Sequence, residues 1–117
     1  MQDFTSELFA LRSRLDEAST YLQIIDQQQR RTALEAEMAD PALWNDQDRG
    51  RRVQKDLARV VEDLDLHRTL MARLEDAETL VELASEEEDE SLEGEITEAV
   101  ADLSSRMDAL ELRSLFS

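Results

Sequence analysis

The amino-acid sequence predicts an all-α fold: an elongated helical bundle of about four helices, two of them paired as a long antiparallel, coiled-coil-like helix hairpin. Three observations carry this expectation. Apolar residues recur at alternating spacings of three and four, which holds one stripe along a helix and would scatter across both faces of a strand. Two glycines, one proline and only a handful of aromatic residues occur in 117 residues, too little turn chemistry for a hairpin-rich sandwich or a glycine-rich nucleotide fold. With 41% apolar and 36% charged residues, the chain can bury one modest core, so residues 1–117 are read as a single helical domain.

The first stripe is Phe4, Leu8, Leu11, Leu15, Ala18, Leu22 and Ile25. Ser19 and Thr20 are weaker helix formers, so a break is expected there, between a first helix ending near Ser19 and a second running from about Tyr21 to Ala39. The second has a polar middle, residues 26–31, and leans on Leu34 and Met38 for packing. Asp40-Pro41 ends it, because proline restricts the residue before it and has no N–H to donate. Asn45 is the expected N-cap of a third helix, with Asp46 and Asp48 in the first turn where the helix dipole favours acids. Trp44, in the same connection, has the size of a binding hot spot, but packing is the favoured role and it is expected to plug the end of the bundle.

The third helix should be long. Val53, Leu57, Val60, Leu64, His67, Met71 and Leu74 repeat over three heptads, the pattern of a coiled-coil seam, with Val61, Leu70 and Leu80 widening it to a bundle face. The stripe continues through Ala77, Val81 and Ala84, so a helix from Asp46 to Ala84 would extend about 60 Å. The five acids of residues 86–90 repel one another and mark a solvated hairpin turn, with Asp89 or Ser91 capping a last helix. Leu92, Ile96, Ala99, Val100, Leu103, Met107 and Leu110 form its stripe, antiparallel to the third. Leu112, Leu115 and Phe116 extend past that stripe with no following chain to cover them, as at a cut edge.

Charge is segregated. Residues 1–38 hold seven acids and four bases, residues 39–74 seven of each, and residues 75–117 fifteen acids and two bases, within a total net charge of -16. Such a surface disfavours general nucleic-acid binding, and DNA in particular. The exception is the local run Arg49, Arg51, Arg52, Lys55 and Arg59, where Arg49, Arg51 and Arg52 are candidate partner-binding residues. Pro41, Trp44 and Asn45 are assigned structural roles.

No chemistry-bearing constellation emerges. The chain has no cysteine, hence no disulfide, thiolate metal site or Cys nucleophile, and no apolar run approaches the roughly 20 residues that cross a bilayer. His67 falls on the heptad stripe and no nucleophile stands at a matching spacing, so it is read as structural. The acidic run lacks the alternating carboxylates and central glycine of a calcium loop. The chain is therefore expected to be no enzyme, to need no cofactor or metal, to contact no membrane and to be cytoplasmic.

Three segments together go beyond a generic bundle: Asp40-Pro41-Ala42-Leu43-Trp44-Asn45-Asp46, Leu80-Val81-Glu82-Leu83-Ala84, and Leu110-Glu111-Leu112-Arg113-Ser114-Leu115-Phe116-Ser117. In this order and spacing the chain resembles the N-terminal domain of the bacterial peptide chain release factor 2 family, class I translation termination factors. The resemblance implies a domain of a factor that reads UAA and UGA codons and triggers peptidyl-tRNA hydrolysis through Gly-Gly-Gln and Ser-Pro-Phe motifs. Neither tripeptide occurs here, so neither role transfers to any residue of this chain, and Ser117 falls about where the family's chain enters its next domain. The resemblance further implies that the domain sits near the large-subunit stalk base, its ribosomal protein and nearby rRNA, and the GTPase-associated centre, with a class II GTPase release factor as a possible partner. The competing reading is a free-standing acidic coiled-coil adaptor or chaperone-like protein.

Overall fold

A computed structural model describes residues 3–116; Ser117, where the family resemblance puts the passage to a further domain, lies outside them. Four α-helices and two short 3-10 turns make up the described residues, and no strand occurs among them. The order is α1 (Thr5–Tyr21), α2 (Ile24–Ala39), a 3-10 turn (Pro41–Asn45), α3 (Gln47–Glu86), a second 3-10 turn (Glu90–Leu92) and α4 (Glu93–Ser114). The all-α class and the helix count follow the apolar periodicity.

The break between α1 and α2 lies later than expected. Ser19 bends its hydroxyl back to the Asp16 carbonyl at 2.6 Å, so its side chain is satisfied within the helix and α1 continues to Tyr21. The chain turns instead at Gln23, whose φ of 54° is left-handed. Its N–H donates to the Thr20 carbonyl and its own carbonyl accepts from Gln27. This residue also re-phases the stripe. Ile24 is buried, whereas Ile25, which the spacing from α1 selects, is 72% exposed.

The chain condenses into two compact units, one of residues up to Ser19 together with those from His67 onward, the other of Thr20–Leu66. In the first, α1 contributes Leu8, Leu11, Leu15 and Ala18, α3 contributes Leu70, Leu74, Ala77 and Ala84, and α4 contributes Ile96, Val100, Leu103, Met107 and Leu110. Where Leu11, Leu15, Leu70, Leu74, Leu103 and Met107 meet, the void is only about 10 Å³, at the lower limit of what one water occupies, so these six side chains are close-packed. Ion pairs tie its rim. The Arg12 guanidinium donates to both Glu78 oxygens at 2.9 and 2.6 Å, and Arg14 bridges to Glu111 and Asp108 of α4. Arg73 of α3 and Arg106 of α4 share Asp102. This packing requires α1, α3 and α4 to lie side by side.

The second unit closes around Leu34, Leu43, Val53 and Val60, with Met38, Leu57 and Leu64 against them. Its 3-10 turn begins where Asp40, at the end of α2, accepts from the Ala42 N–H at 2.9 Å, and Pro41 takes the first position, where no N–H is needed. The acidic turn after α3 is likewise capped. Glu88 adopts a left-handed φ of 51°, the Asp89 N–H closes back on the Ala84 carbonyl, and Asp89 accepts from both the backbone and the hydroxyl of Ser91. Those two hydrogen bonds hold the Asp89 carboxyl below its ordinary pKa.

Candidate partner-binding surfaces

The connection around Trp44 differs in detail from the sequence reading. The cap of α3 is Asp46, whose Oδ1 accepts from the Arg49 N–H at 3.2 Å; Asn45 is the last residue of the 3-10 turn. Two adjacent residues are both good caps, and the extent of the turn selects the second. Nor is Trp44 the buried plug. Leu43 fills the core at 2% exposure, while Trp44 remains 46% exposed. One face of the indole lies directly on Gly50, where an added Cβ would stand 2.8 Å from Cε3 and 2.9 Å from Cζ3. The glycine in the first turns of α3 is thus the seat of the ring.

The basic stretch divides by helix angle. At 100° per residue, Arg51, Arg52, Lys55 and Arg59 fall within an arc of about 100°, opposite the buried Val53 and Val60. All four are exposed. Arg49 sits outside that arc, beside the buried side, and reaches Glu37 of α2 at 3.8 Å. Arg51 makes only a loose contact with Asp48 at 4.0 Å. Arg52, Lys55 and Arg59 have no ion pair among the described residues. So the structure groups Arg51 and Arg52 with Lys55 and Arg59 on one outward face and sets Arg49 apart as a brace between helices.

His67 is partly buried, and its Nε2 has no hydrogen-bond partner. Burial pushes its pKa below the ordinary imidazole value, against a smaller pull upward from Asp16. Among the described residues no three His, Cys, Asp or Glu side chains gather as a metal site would require, and no helix is long and apolar enough to cross a membrane.

Sequence reasoning missed a groove in the first unit. Leu8, Phe9 and Arg12 of α1 and Glu78, Val81 and Glu82 of α3 line most of it, with a volume of about 560 Å³. Phe9 is 73% exposed there. Its signal was present, since Phe9 stands beside the Leu8–Leu11 stripe and has no place in it, but the α3 wall follows only from the register of α1 on α3. A second exposed apolar group closes α4, with Leu112, Leu115 and Phe116 at 58%, 78% and 82% exposure.

These helices can be compared with known proteins. Residues 27–117 match the PCRF domain family. Over 115 residues the chain is 37% identical to peptide chain release factor 2 of Corynebacterium glutamicum (strain R), covering 98% of this chain and 31% of that protein. Peptide chain release factor 2 of Nocardia farcinica is 37% identical over 118 residues, with 98% and 32% covered. That of Pseudoalteromonas translucida is 34% identical over 115 residues, with 96% and 31% covered. The chain thus spans about a third of the length of these curated relatives. The matched segment holds the Pro41–Asn45 turn, α3, the acidic turn and α4, the same elements that carry the resemblance read from the sequence, and the chain belongs to the PCRF domain family.

Proposed function

We propose that this chain is the N-terminal domain of a bacterial peptide chain release factor and serves translation termination in the cytoplasm by positioning the factor on the ribosome. The observation that carries the reading is similarity along 98% of the chain to about a third of peptide chain release factor 2. Codon reading at UAA and UGA and peptidyl-tRNA hydrolysis then belong to the remainder of such a factor, since the chain holds neither Gly-Gly-Gln nor Ser-Pro-Phe. Its own part is orientation: packed helices hold a contact surface in place, which adds positioning and no chemical step.

Within that role the outward face of Arg51, Arg52, Lys55 and Arg59 is the surface suited to rRNA near the stalk base. It is the one basic run in a chain of net charge -16, and a polyanion is repelled elsewhere. The acid-rich part of the chain suits a basic ribosomal protein or the class II GTPase factor. The test is a chimera in which residues 1–117 replace the matching third of the Corynebacterium glutamicum factor, assayed for peptide release on ribosomes programmed with UAA or UGA. Retained release at both codons, with no release by the 117-residue chain alone, is the expected result. A folded chimera that binds ribosomes no better than the factor lacking this third would refute the positioning role.

A further inference from the structure

We propose that the groove between α1 and α3 in the first unit is a docking site for a basic amphipathic helix of a partner protein. Its floor is apolar: Leu8 is buried beneath it, Val81 forms part of the α3 wall, and Phe9 projects 73% exposed. An aromatic side chain left in water on an ordered helix, beside an apolar floor, is the composition of an interface anchor. The walls run from residue 5 to 12 on α1 and from residue 78 to 86 on α3, about 12 Å along each helix, which matches two to three turns of a third helix laid against the pair.

Charge selects the occupant. Glu82 and Glu86 stand exposed along the α3 wall, while Glu78 is already held by Arg12 at 2.6 Å. The Arg12–Glu78 pair closes one end of the groove without neutralising the other two carboxylates. Residues 75–117 carry fifteen acids against two bases. An RNA strand or an anionic lipid surface meets this rim with like charge, and a second copy of the chain brings a further net charge of -16. A helix with an apolar stripe and Lys or Arg on its flanks gains both from covering Phe9 and from the rim. This inference stands apart from the release-factor reading, and a chimera that fails in termination leaves it unaffected.

The test uses the 117-residue chain and a display pool of three-turn helical peptides with leucine fixed along one stripe and every other position randomised. Selection is expected to return peptides rich in Lys and Arg, and a labelled member of the pool should bind the chain saturably by fluorescence anisotropy. Phe9→Ala should weaken that peptide by about tenfold or more. Glu82→Lys with Glu86→Lys should do the same, and Glu98→Lys on α4, which changes charge away from the groove, should leave binding unchanged. Phe9 is largely exposed, so its removal spares the core; should Phe9→Ala nonetheless lose its helical circular dichroism, the Glu82 and Glu86 variant decides. A pool without binders, binders that are acidic or neutral, or binding indifferent to both variants overturns the proposal. So does a single-stranded RNA whose binding depends on Phe9, or a dimer that Phe9→Ala dissolves, because either assigns the groove to another occupant.

Discussion

Replacing Gly50 with alanine gives opposite results depending on whether Trp44 is present. In a helix interior alanine is favoured over glycine by about 1 kcal/mol, because glycine loses more backbone freedom on folding. Gly50 lies in α3 and its φ is not positive, so the backbone itself accepts alanine. The obstacle is the indole. A Cβ would stand 2.8 and 2.9 Å from two of its ring carbons, and ordinary contact requires the ring to retreat by roughly 0.6–1 Å or more. Trp44 is 46% exposed and can swing outward, but in doing so it uncovers the face now resting on Gly50. At about 25 cal/mol per Å², re-exposing some 50–80 Å² of indole costs about 1–2 kcal/mol. Gly50→Ala is therefore expected to be neutral or destabilising by up to about 1 kcal/mol in the native chain and stabilising by about 1 kcal/mol in a Trp44→Ala background. Urea unfolding followed by circular dichroism measures all four corners of the cycle. Trp44 is the chain's single tryptophan, so its fluorescence should shift to the red in Gly50→Ala alone. Equal effects of Gly50→Ala in the two backgrounds, with an unshifted emission, would show that the ring does not rest on this glycine.

Other consequences are open to measurement. Gly94 has nothing within 4 Å of an added Cβ, so Gly94→Ala should stabilise by several tenths of a kcal/mol up to about 1 kcal/mol, and a destabilised variant would contradict the open space seen there. Gln23 is left-handed at φ 54°; Gln23→Gly should stabilise by about 0.5–1 kcal/mol, whereas Gln28→Gly within α2 should cost about 1 kcal/mol, and the same sign for both would remove the turn from Gln23. His67 takes up a proton less readily folded than unfolded because burial depresses its pKa. Its contribution is therefore complete above about pH 6.5, declines as the pH falls through that value and levels off below the folded pKa. His67→Leu should abolish that slope and, by removing the unpartnered Nε2, stabilise by about 1 kcal/mol; an unchanged slope between about pH 7 and 5 in Tm would refute this.

Much of the helical framework was legible because burial in helices has a period. Leu8, Leu11, Leu15 and Ala18 on α1 and Ile96, Val100, Leu103, Met107 and Leu110 on α4 are buried where the spacing puts them. Asp40-Pro41 was legible as a stop for the same kind of reason, a steric restriction local to two residues. What escaped depended on choices that neighbouring residues make equally well. Ser19 and Thr20 announced a break, but a polar residue entering the left-handed region leaves no compositional mark when it is Gln23 and not glycine, so the break's exact place and the switch from Ile25 to Ile24 were invisible. Asn45 and Asp46 compete as caps on equal chemical terms, and only the length of the 3-10 turn decides. Trp44 and Leu43 compete for the core, and size favoured the wrong one. The groove beside Phe9 needed the α1–α3 register, which no single-helix pattern contains. Among the candidate arginines, helix angle alone would have separated Arg49 from Arg51 and Arg52.

In so acidic a chain the state of each cation carries information. Arg12, Arg14, Arg73 and Arg106 are all engaged by carboxylates across or along the helices of the first unit, the default when acids outnumber bases 29 to 13. Arg52, Lys55 and Arg59 escape this default because the buried stripe of α3 fixes them on its far side, one to two turns apart. A face kept basic in this way is available to a polyanion, and counterion release makes the consequence quantitative. Changing Arg51, Arg52, Lys55 and Arg59 together to alanine in the chimeric factor should weaken ribosome binding most at low salt. It should also flatten the plot of log affinity against log salt by about 0.7–0.9 for each phosphate that is no longer neutralised. Arg49→Ala should leave that slope in place and act instead on the unit's stability, by no more than about 1 kcal/mol, by removing its exposed pairing with Glu37. If the fourfold variant keeps the parent slope while Arg49→Ala changes it, the cation that matters is the brace and not the outward face, and the assignment of rRNA to that face fails.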